Sequence, residues 1–316
     1  MIIVTGAAGF IGANLVKALE DRGIGPVIAV DDLSDGHKFH NLADCEIYDY
    51  WDKDEFLDRI GRNDSLAESC RAVFHQGACS DTTEWDGRYI MAVNYDYSKT
   101  LLHFCTQRRI PFIYASSASV YGMGPGFSEQ RENEAPLNMY AYSKCLFDRY
   151  VRARAPFESQ VVGLRYFNVY GPREIHKAKM ASIVWQLRNQ LLDSGRVKLF
   201  EGSDGFAAGE QRRDFIYVDD VAAVNIWCLQ NQQCQGVFNL GTGTSHSFND
   251  VAHAVIDWHG YGEIEYVPFP ESLRGHYQSF TEADMTALRE VGYEGRFMTV
   301  VEGVRRYMDV VEQRGI

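Results

Sequence analysis

The sequence lacks three features that would set it apart from ordinary globular proteins. It has no apolar run of membrane length and no basic leader, and its seven cysteines include no C-x-x-C pair. Long apolar runs mark membrane spans, and closely spaced cysteine pairs mark zinc sites or redox motifs. We therefore expect a cytoplasmic protein with no export signal, no membrane partner, no disulfide framework and no bound metal.

Positive charge is also scarce in this chain. Its 316 residues carry 31 Lys and Arg against 43 Asp and Glu, which gives a formal net charge of −12. Such a surface repels nucleic acid, so we expect no nucleic-acid partner. With 46% hydrophobic residues the chain can bury a large core, and its length exceeds that of one doubly wound domain. A second, smaller unit is therefore predicted.

The N-terminal segment predicts a dinucleotide site. The β-branched run from Ile2 to Val4 is typical of a strand buried on both faces of a parallel sheet. Three glycines follow at G-x-x-G-x-x-G spacing, and the residues after them show helical periodicity. Glycines let the backbone approach a diphosphate, and a helix N-terminus attracts its charge. We expect the dinucleotide to contact Gly6, Gly9, Phe10, Ile11 and Gly12.

The second predicted strand, residues 26–30, ends in a pair of acids. Asp31 and Asp32 stand where a carboxylate ordinarily accepts hydrogen bonds from ribose hydroxyls. Lys38 follows a few residues later and Lys53 lies further along, and a lysine there could bind the 2′-phosphate of NADP. Asp32 favours NAD and Lys38 favours NADP, so these residues leave the choice of cofactor open.

Another strand is predicted at residues 71–75, followed by a turn of small residues. The second half of a dinucleotide would lie against this turn, whose residues are Gln76, Gly77, Ala78, Cys79 and Ser80. The segment 89–108 has the length and periodicity of a helix. Near its start, Asn94 either hydrogen-bonds the turn, and so belongs to the cofactor site, or is a simple polar helix residue.

Tyr140 and Lys144 are the candidates for the chemistry. They lie four residues apart on a predicted helix, so their side chains share one face. A free tyrosine titrates at about pH 10, and a nearby ammonium together with a cationic nicotinamide would lower its pKa toward that of a general base. A serine of the run 116–121, which follows the predicted strand 111–115, could donate to the same substrate oxygen. Together with the glycine turn, these side chains predict a hydride-transfer site.

These motifs, with the run Arg-Tyr-Phe-Asn-Val-Tyr-Gly-Pro at 165–172, resemble the extended short-chain dehydrogenases/reductases that act on nucleotide sugars. The resemblance covers nearly the whole chain. It implies an α/β fold, with a Rossmann-type doubly wound parallel sheet and a smaller mixed α/β substrate domain. We expect the cofactor domain at 1–171 plus about 214–243, and the substrate domain at about 172–213 plus 244–316.

The resemblance also implies a role for each matching residue. Tyr140 would be the first base, Lys144 its partner, Ser117 a donor to the reacting oxygen and Lys177 a second acid/base across the sugar ring. Val169 would contact the cofactor. The substrate would be held by Asn168, Lys179, Gln186, Phe200, Glu201, Gly202, Ser203, Arg213 and Tyr277.

Arginines in the second half are candidates for clamping a diphosphate, because guanidinium binds phosphate bidentately. Arg213 and Arg274 fit this role, whereas a solvated surface charge is the better interpretation of Arg212. The loop 204–213 is longer than the resemblance leads us to expect. Because it contains two alanines and two glycines, we predict that it is mobile.

Segments 77–87, 173–177, 200–203 and 268–270 resemble the family members that epimerise ADP-heptose for lipopolysaccharide. This implies inversion at C6″ through a 6″-keto intermediate with tightly bound NADP, in a homo-oligomer such as a pentamer. An NAD-dependent nucleotide-sugar 4-epimerase is the alternative, and a non-catalytic dinucleotide-sensing regulator is a remote one. A 4,6-dehydratase fits less well, because Ala118 and Ser119 stand where those enzymes place an Asp-Glu pair.

Overall fold

The first three elements form the predicted strand–turn–helix–strand unit. The structure, a computed structural model, describes residues 1–62, 69–271 and 277–315, so the predicted clamp Arg274 lies outside the described residues. Strand β1 (Ile2–Thr5), helix α1 (Phe10–Asp21) and strand β2 (Val27–Asp31) follow in order. The helical periodicity after the glycines arises from Ile11, Leu15 and Leu19, and in α1 the two leucines are fully buried while Ile11 is half-buried.

The chain then alternates strands and helices through its first half. These elements are β3 (Asp49–Asp52), α2 (Lys53–Gly61), β4 (Ala72–His75), α3 (Gly87–Ile90), α4 (Tyr97–Gln107), β5 (Phe112–Ser117), α5 (Met139–Arg152), β6 (Val161–Tyr166) and β7 (Asn168–Tyr170). The second half contains α6 (Ile183–Ser194), β8 (Arg196–Phe200), β9 (Arg212–Arg213), β10 (Phe215–Tyr217), α7 (Val218–Gln230), β11 (Gly236–Leu240), β12 (His246–Ser247), α8 (Phe248–His259), β13 (Glu263–Val267), α9 (Thr286–Glu290) and α10 (Val300–Gln313).

Seven strands form the central sheet in the order β11-β6-β5-β4-β1-β2-β3, and every pairing in it is parallel. Strands β1, β2, β4 and β6 are buried along their whole length, as expected for strands covered by helices on both faces. The strand order reverses between β1 and β4. In such sheets a ligand binds at the carboxyl ends of the strands beside this switch point. The predicted Rossmann-type doubly wound fold is confirmed.

Residues 87–107 form one continuous helix that agrees with the helix predicted at 89–108. A π-helical turn, Met91–Asp96, joins α3 to α4. Such turns are rare and occur mostly at functional sites, because the wider turn changes the direction in which side chains project. Asn94 lies within this turn and is buried.

A second hydrophobic cluster lies beside the central sheet. It packs helices α6, α8 and α10 around strands β8 and β10. Strand β8 pairs with β13, β7 with β10, and β9 with β12. Most of this smaller α/β cluster comes from the predicted substrate domain, but Tyr170, Phe215 and Tyr217 come from segments predicted for the cofactor domain. Conversely, Ala283, Leu288 and Phe297 pack in the core of the central sheet. The division of the chain into two domains stays a prediction.

The described part of the chain contains neither a candidate membrane span nor a candidate metal site. None of the helices within 1–62, 69–271 and 277–315 combines the length and the apolar composition that a bilayer span requires. Over the same ranges, no three His, Cys, Asp or Glu side chains are grouped so that they could hold a metal ion.

Candidate active site

The glycine turn after β1 lies at the switch point. Gly6 has φ +65°, and a Cβ placed on it would lie 2.6 Å from Gly77 Cα in the turn after β4. A Cβ on Gly12 would lie 2.0 Å from Gly6 O, so α1 packs directly against the turn. Gly9 is different, because its Cβ would meet only the Gly6 carbonyl, at 3.1 Å. At Gly6 and Gly12 the protein's own backbone fills the space beside the turn, whereas at Gly9 this space is open.

Helix α1 begins at this open position. Gly9 is its N-cap, no side chain caps it, and its first turn holds no acidic residue. The N-terminal N–H groups and the positive end of the helix dipole are thus available to an anion. Because the backbone is bare and uncapped where a diphosphate would approach, the residues present fit the predicted dinucleotide.

The end of β2 holds four charged side chains. Asp31 is buried, and its carboxylate accepts hydrogen bonds from Ala8 N (2.7 Å), Asp32 N (2.6 Å) and Lys38 Nζ. Both of its oxygens are therefore engaged by protein donors, unlike the free ribose acceptor expected from the sequence. Asp32 is more exposed, and Lys53 Nζ lies 3.7 Å from its Oδ2. Hydrogen bonds from Ser34 lower the pKa of Asp32 and keep it ionised.

Asn94 connects the turn after β4 to the helix that carries Tyr140. Its Oδ1 accepts from Cys79 N (2.8 Å), and its Nδ2 donates to Cys79 O (2.9 Å) and to Ser143 Oγ (3.1 Å). Ser143 Oγ in turn donates to Tyr140 O (2.7 Å). The first of the two roles considered for Asn94, a hydrogen bond to this turn, is confirmed. Its amide holds the turn in place, while Gly77 packs on Gly6 from the same turn.

A chain of buried polar side chains lies beside the turn that follows β4. His75, the last residue of β4, bonds Thr5 Oγ1 through Nδ1 (2.6 Å) and Ser98 Oγ through Nε2 (2.7 Å). Ser98 Oγ donates to Asn94 O (2.6 Å), so it accepts from His75, whose proton is therefore on Nε2. Burial lowers the pKa of His75 to about 3, so the ring is neutral. No motif in the sequence singles out His75 or Ser98.

Tyr140 and Lys144 lie on one face of α5, over the end of β5. Tyr140 is within hydrogen-bonding reach of Ser117, and Lys144 Nζ donates to Ala115 O (2.7 Å). Burial lowers the pKa of Lys144 to about 8, against the opposing charge of Asp148. Burial also raises the pKa of Tyr140, with the Ser117 hydrogen bond acting the other way. In the protein alone, burial outweighs the neighbouring groups, and the lowered tyrosine pKa, which also required a cationic nicotinamide, stays a prediction.

Lys177 lies at the other side of the switch point. It belongs to the 3₁₀ segment Ile175–Met180, is half-buried, and places its Nζ 5.5 Å from the centre of the Phe10 ring at the start of α1. Burial lowers its pKa, and the charge of Glu174 opposes this. Because Phe10 follows β1 and Ser117 ends β5, β4 lies between them. Lys177 and Tyr140 thus contact residues that adjoin two strands about 10 Å apart in the sheet.

Three contacts attach the segment before Lys177 to the cofactor side. Asn14 Nδ2 donates to Pro172 O (2.8 Å), and Asn41 Nδ2 lies 3.1 Å from His176 Nδ1. Arg173 forms a bidentate pair with Asp44, with N–O distances of 2.7 and 2.9 Å. These contacts span more than 100 residues of sequence, so no local pattern could have revealed them. We name residues 172–177 the strap.

The candidate substrate residues form an aromatic row in the second half. The Arg213 guanidinium lies 4.8 Å from the centre of the Tyr277 ring, Tyr277 packs on Phe269 at 5.4 Å, and Phe269 packs on Phe200 at 5.4 Å. Burial lowers the pKa of Arg213. Gln211 Nε2 donates to Glu201 O (3.0 Å) and Ser203 Oγ (3.1 Å), which fixes the segment that also contains Gly202.

Other candidates are placed differently from the expectation. Arg212 is not a solvated charge, because its guanidinium donates to Ser245 Oγ (3.2 Å) and Ser245 O (2.5 Å). Gln186 Nε2 donates to Ala181 O (2.8 Å), while Lys179 is exposed. Asn168 and Val169 lie in β7, with Asn168 exposed and Val169 half-buried.

The loop 204–213 is held by several contacts over its second half. Gly209 N donates to Phe200 O (2.9 Å), and Asn249 Nδ2 donates to Ala208 O (3.0 Å) and Glu210 Oε1 (2.5 Å). Tyr266 OH donates to Asn249 Oδ1 (3.0 Å) from the other side. These hydrogen bonds, from side chains distant in sequence, hold the second half of the loop in place. They do not agree with the mobility predicted from its composition.

Comparisons with known proteins agree with this arrangement. Residues 2–241 match the NAD dependent epimerase/dehydratase family. The chain is 57% identical to an ADP-L-glycero-D-manno-heptose-6-epimerase of Alkalilimnicola ehrlichii, over 98% of this chain and 97% of that protein. Its structure is similar to that of the Helicobacter pylori ADP-L-glycero-D-manno-heptose-6-epimerase, with a TM-score of 0.84 and 31% identity, covering 98% of this chain and 96% of that one. It is also similar to a UDP-glucose 4-epimerase of Thermus thermophilus in complex with NAD, with a TM-score of 0.77 and 27% identity, covering 98% and 97%.

Proposed function

Because this chain belongs to the NAD dependent epimerase/dehydratase family, we propose that it inverts C6″ of ADP-D-glycero-D-manno-heptose. The product would be ADP-L-glycero-D-manno-heptose, and the enzyme an isomerase of lipopolysaccharide core supply. The observation that carries this proposal is the 57% identity, over 98% of the chain, to a relative of that name. The open glycine turn, the Ser117–Tyr140–Lys144 group and Lys177 supply the parts that such a reaction needs.

We propose NADP as the tightly bound cofactor. Two lysines, Lys38 and Lys53, approach the two acids at the end of β2, where the ribose of a dinucleotide is ordinarily held. A 2′-phosphate would gain two cations there, whereas Asp32 would repel it. With each charge counted once, Lys38 and Lys53 balance Asp31 and Asp32, so this group of side chains has no net negative charge that would exclude a phosphate.

The family chemistry needs a hydride acceptor, and a bound nicotinamide supplies it by taking and returning the hydride of C6″. Tyr140 would take the proton of the C6″ hydroxyl while Ser117 donates to the same oxygen. Lys144 keeps a positive charge near the tyrosine, because its pKa of about 8 lies above neutral pH. A cationic cofactor ring beside the tyrosine would favour the phenolate further and oppose the effect of burial.

Inversion requires that the 6″-keto intermediate present its opposite face before the hydride returns. A second proton donor must then stand away from Tyr140, because one group cannot reach the oxygen in both orientations. Lys177 meets this requirement, since it lies over the β1 side of the switch point and Tyr140 over the β5 side. The separation leaves space for a sugar to turn between them.

The test is to denature the purified protein, identify any released nucleotide by mass spectrometry, and follow ADP-D-glycero-D-manno-heptose by NMR. We expect NADP in the supernatant and inversion at C6″ only. Tyr140→Phe should lower the rate by about 10²- to 10⁴-fold, while the control Tyr142→Phe, an exposed residue on the same helix, should not. Protein that releases no pyridine nucleotide, or that leaves the heptose unchanged, would refute the proposal.

UDP-glucose should be tested in the same assay, because a UDP-glucose 4-epimerase is among the similar structures. It serves there as the substrate of the alternative function. Inversion at C4 of UDP-glucose without inversion of ADP-heptose would establish the alternative, an NAD-dependent 4-epimerase. The homo-oligomer, for which a pentamer is one form, and the cytoplasmic location stay predictions.

A further inference from the structure

Helix α5 contacts strand β5 at regular intervals. Tyr140 meets Ser117, and one helical turn later Lys144 Nζ donates to Ala115 O (2.7 Å). Four residues of a helix rise by about 6.0 Å, and two residues of a strand span about 6.6 Å. The two repeats are similar, so two side chains one helical turn apart can contact positions two residues apart on the strand.

Asp148 lies one helical turn beyond Lys144, and its partners on β5 stand on either side of Ala115. Its carboxylate is fully buried and accepts hydrogen bonds from Tyr114 OH (3.0 Å) and Ser116 Oγ (2.9 Å), both on β5. Arg165 on β6 adds a third hydrogen bond, from Nε at 2.8 Å. A buried carboxylate with three directed donors fixes its helix along the strand more sharply than apolar packing does.

The charge of Asp148 also acts on Lys144. Burial of Lys144 disfavours its charged form, and Asp148 is the group that opposes this effect. Two other ionisable side chains, His75 and Arg165, lie near this pair. His75 on β4 is neutral, and Arg165 is shared between Asp148 and Glu134, to which its second nitrogen donates at 2.5 Å.

We propose that Asp148 is a positioning residue that sets the register of α5 on β5 and maintains the positive charge of Lys144. It is not a catalytic residue, because it acts through Lys144 and Ser116. The proposal rests on the proposed function only in assigning Lys144 to the chemistry. The contacts of Asp148 with β5 and β6 hold whichever substrate the enzyme takes.

The test measures Lys144 directly. The chain has eight lysines, so protein labelled with [¹³C]lysine gives few Cε resonances, and Lys144→Arg identifies the one of interest. We expect Asp148→Asn to move the titration midpoint of Lys144 downward by about one pH unit. The matched control Tyr114→Phe removes a hydrogen bond to Asp148 without changing its charge, and should leave the midpoint where it is. An unchanged midpoint in Asp148→Asn would overturn the proposal.

A second variant covers the case in which Asp148→Asn leaves Arg165 buried without enough partners and fails to fold. The double variant Asp148→Asn/Arg165→Gln removes both charges, and Glu134 keeps Arg149 and Arg152 as partners. Because the two removed charges are opposite, the reference for this variant is Arg165→Gln alone, in which Asp148 keeps its charge. The Lys144 midpoint should be lower in the double variant than in Arg165→Gln, and equal midpoints in these two variants would overturn the proposal. The alkaline limb of the rate profile should move in parallel. If the wild type does not epimerise ADP-heptose, the proposed function fails, but the NMR titration still decides the role of Asp148.

Discussion

The glycine turn allows a prediction that separates folding from cofactor binding. Gly12→Ala places a methyl group 2.0 Å from Gly6 O and 2.7 Å from Gly6 C, where backbone atoms cannot give way. The cost should be about 3 kcal/mol of stability, since overpacking of this kind forces the backbone to shift. Gly9→Ala meets only Gly6 O, at 3.1 Å, and Gly9 has φ −76°, which alanine adopts freely. This variant should fold with little loss of stability.

The new methyl group of Gly9→Ala lies where we expect the diphosphate. Loss of one charge-assisted hydrogen bond there costs about 1.5–3 kcal/mol, so cofactor affinity should fall by about 10- to 100-fold. Calorimetry gives the thermal stability of each variant, and titration of protein freed of its nucleotide gives the affinity. The control is Gly61→Ala, which has open space around it at the end of α2. A Gly9→Ala variant that binds NADP as tightly as the wild type would refute the assignment of the turn.

Three further outcomes are expected. Lys177→Met should lower the rate of epimerisation by about 10²-fold or more while leaving the fold intact. The control Lys198→Met, at an exposed lysine of β8, should leave the rate unchanged. A Lys177→Met variant as fast as the wild type would exclude Lys177 as the second acid/base. Asp32→Asn removes a charge worth about 1 kcal/mol against a phosphate, so the ratio of NADP to NAD affinity measured by titration should rise by about fivefold, and a fall would contradict the assignment. Glu134 has its pKa lowered to about 2 from 4.5, because hydrogen bonds from buried and half-buried arginines outweigh burial. The ionised carboxylate stabilises the fold above pH 4.5, and this stabilisation is lost as the pH falls toward 2. Glu134→Gln should therefore lower the free energy of unfolding by about 3 kcal/mol at neutral pH. The stability of this variant, measured by denaturant unfolding, should also depend less on pH between those two values.

Features built from neighbouring residues were predictable from the sequence. The strand, glycine turn and helix at the N-terminus follow from apolar periodicity and glycine spacing, and the shared face of Tyr140 and Lys144 follows from their separation of four residues. The parallel sheet follows from the alternation of strands and helices. These patterns act within one turn or one strand, so the sequence displays them directly.

Features that depend on distant contacts were not predictable. The low exposure that raises the pKa of Tyr140 depends on the packing of other elements around α5. The two hydrogen bonds from Arg212 to Ser245 join residues 33 positions apart, and the anchoring of residues 208–210 depends on Asn249. The positive φ of Arg173, +74°, has no signature in its sequence neighbourhood. In each case the deciding partner is brought close only by the tertiary fold.

The strap has a consequence for how the two halves of the molecule could move. Asn14, Asn41 and Asp44 hold residues 172–176 against the first 45 residues of the chain, so Lys177 moves with helix α1. Over the described ranges, the rings of the aromatic row pack on one another, Tyr277 on Phe269 and Phe269 on Phe200, and not on the strap. A shift of this row relative to the central sheet would therefore leave the distance between Lys177 and the glycine turn unchanged.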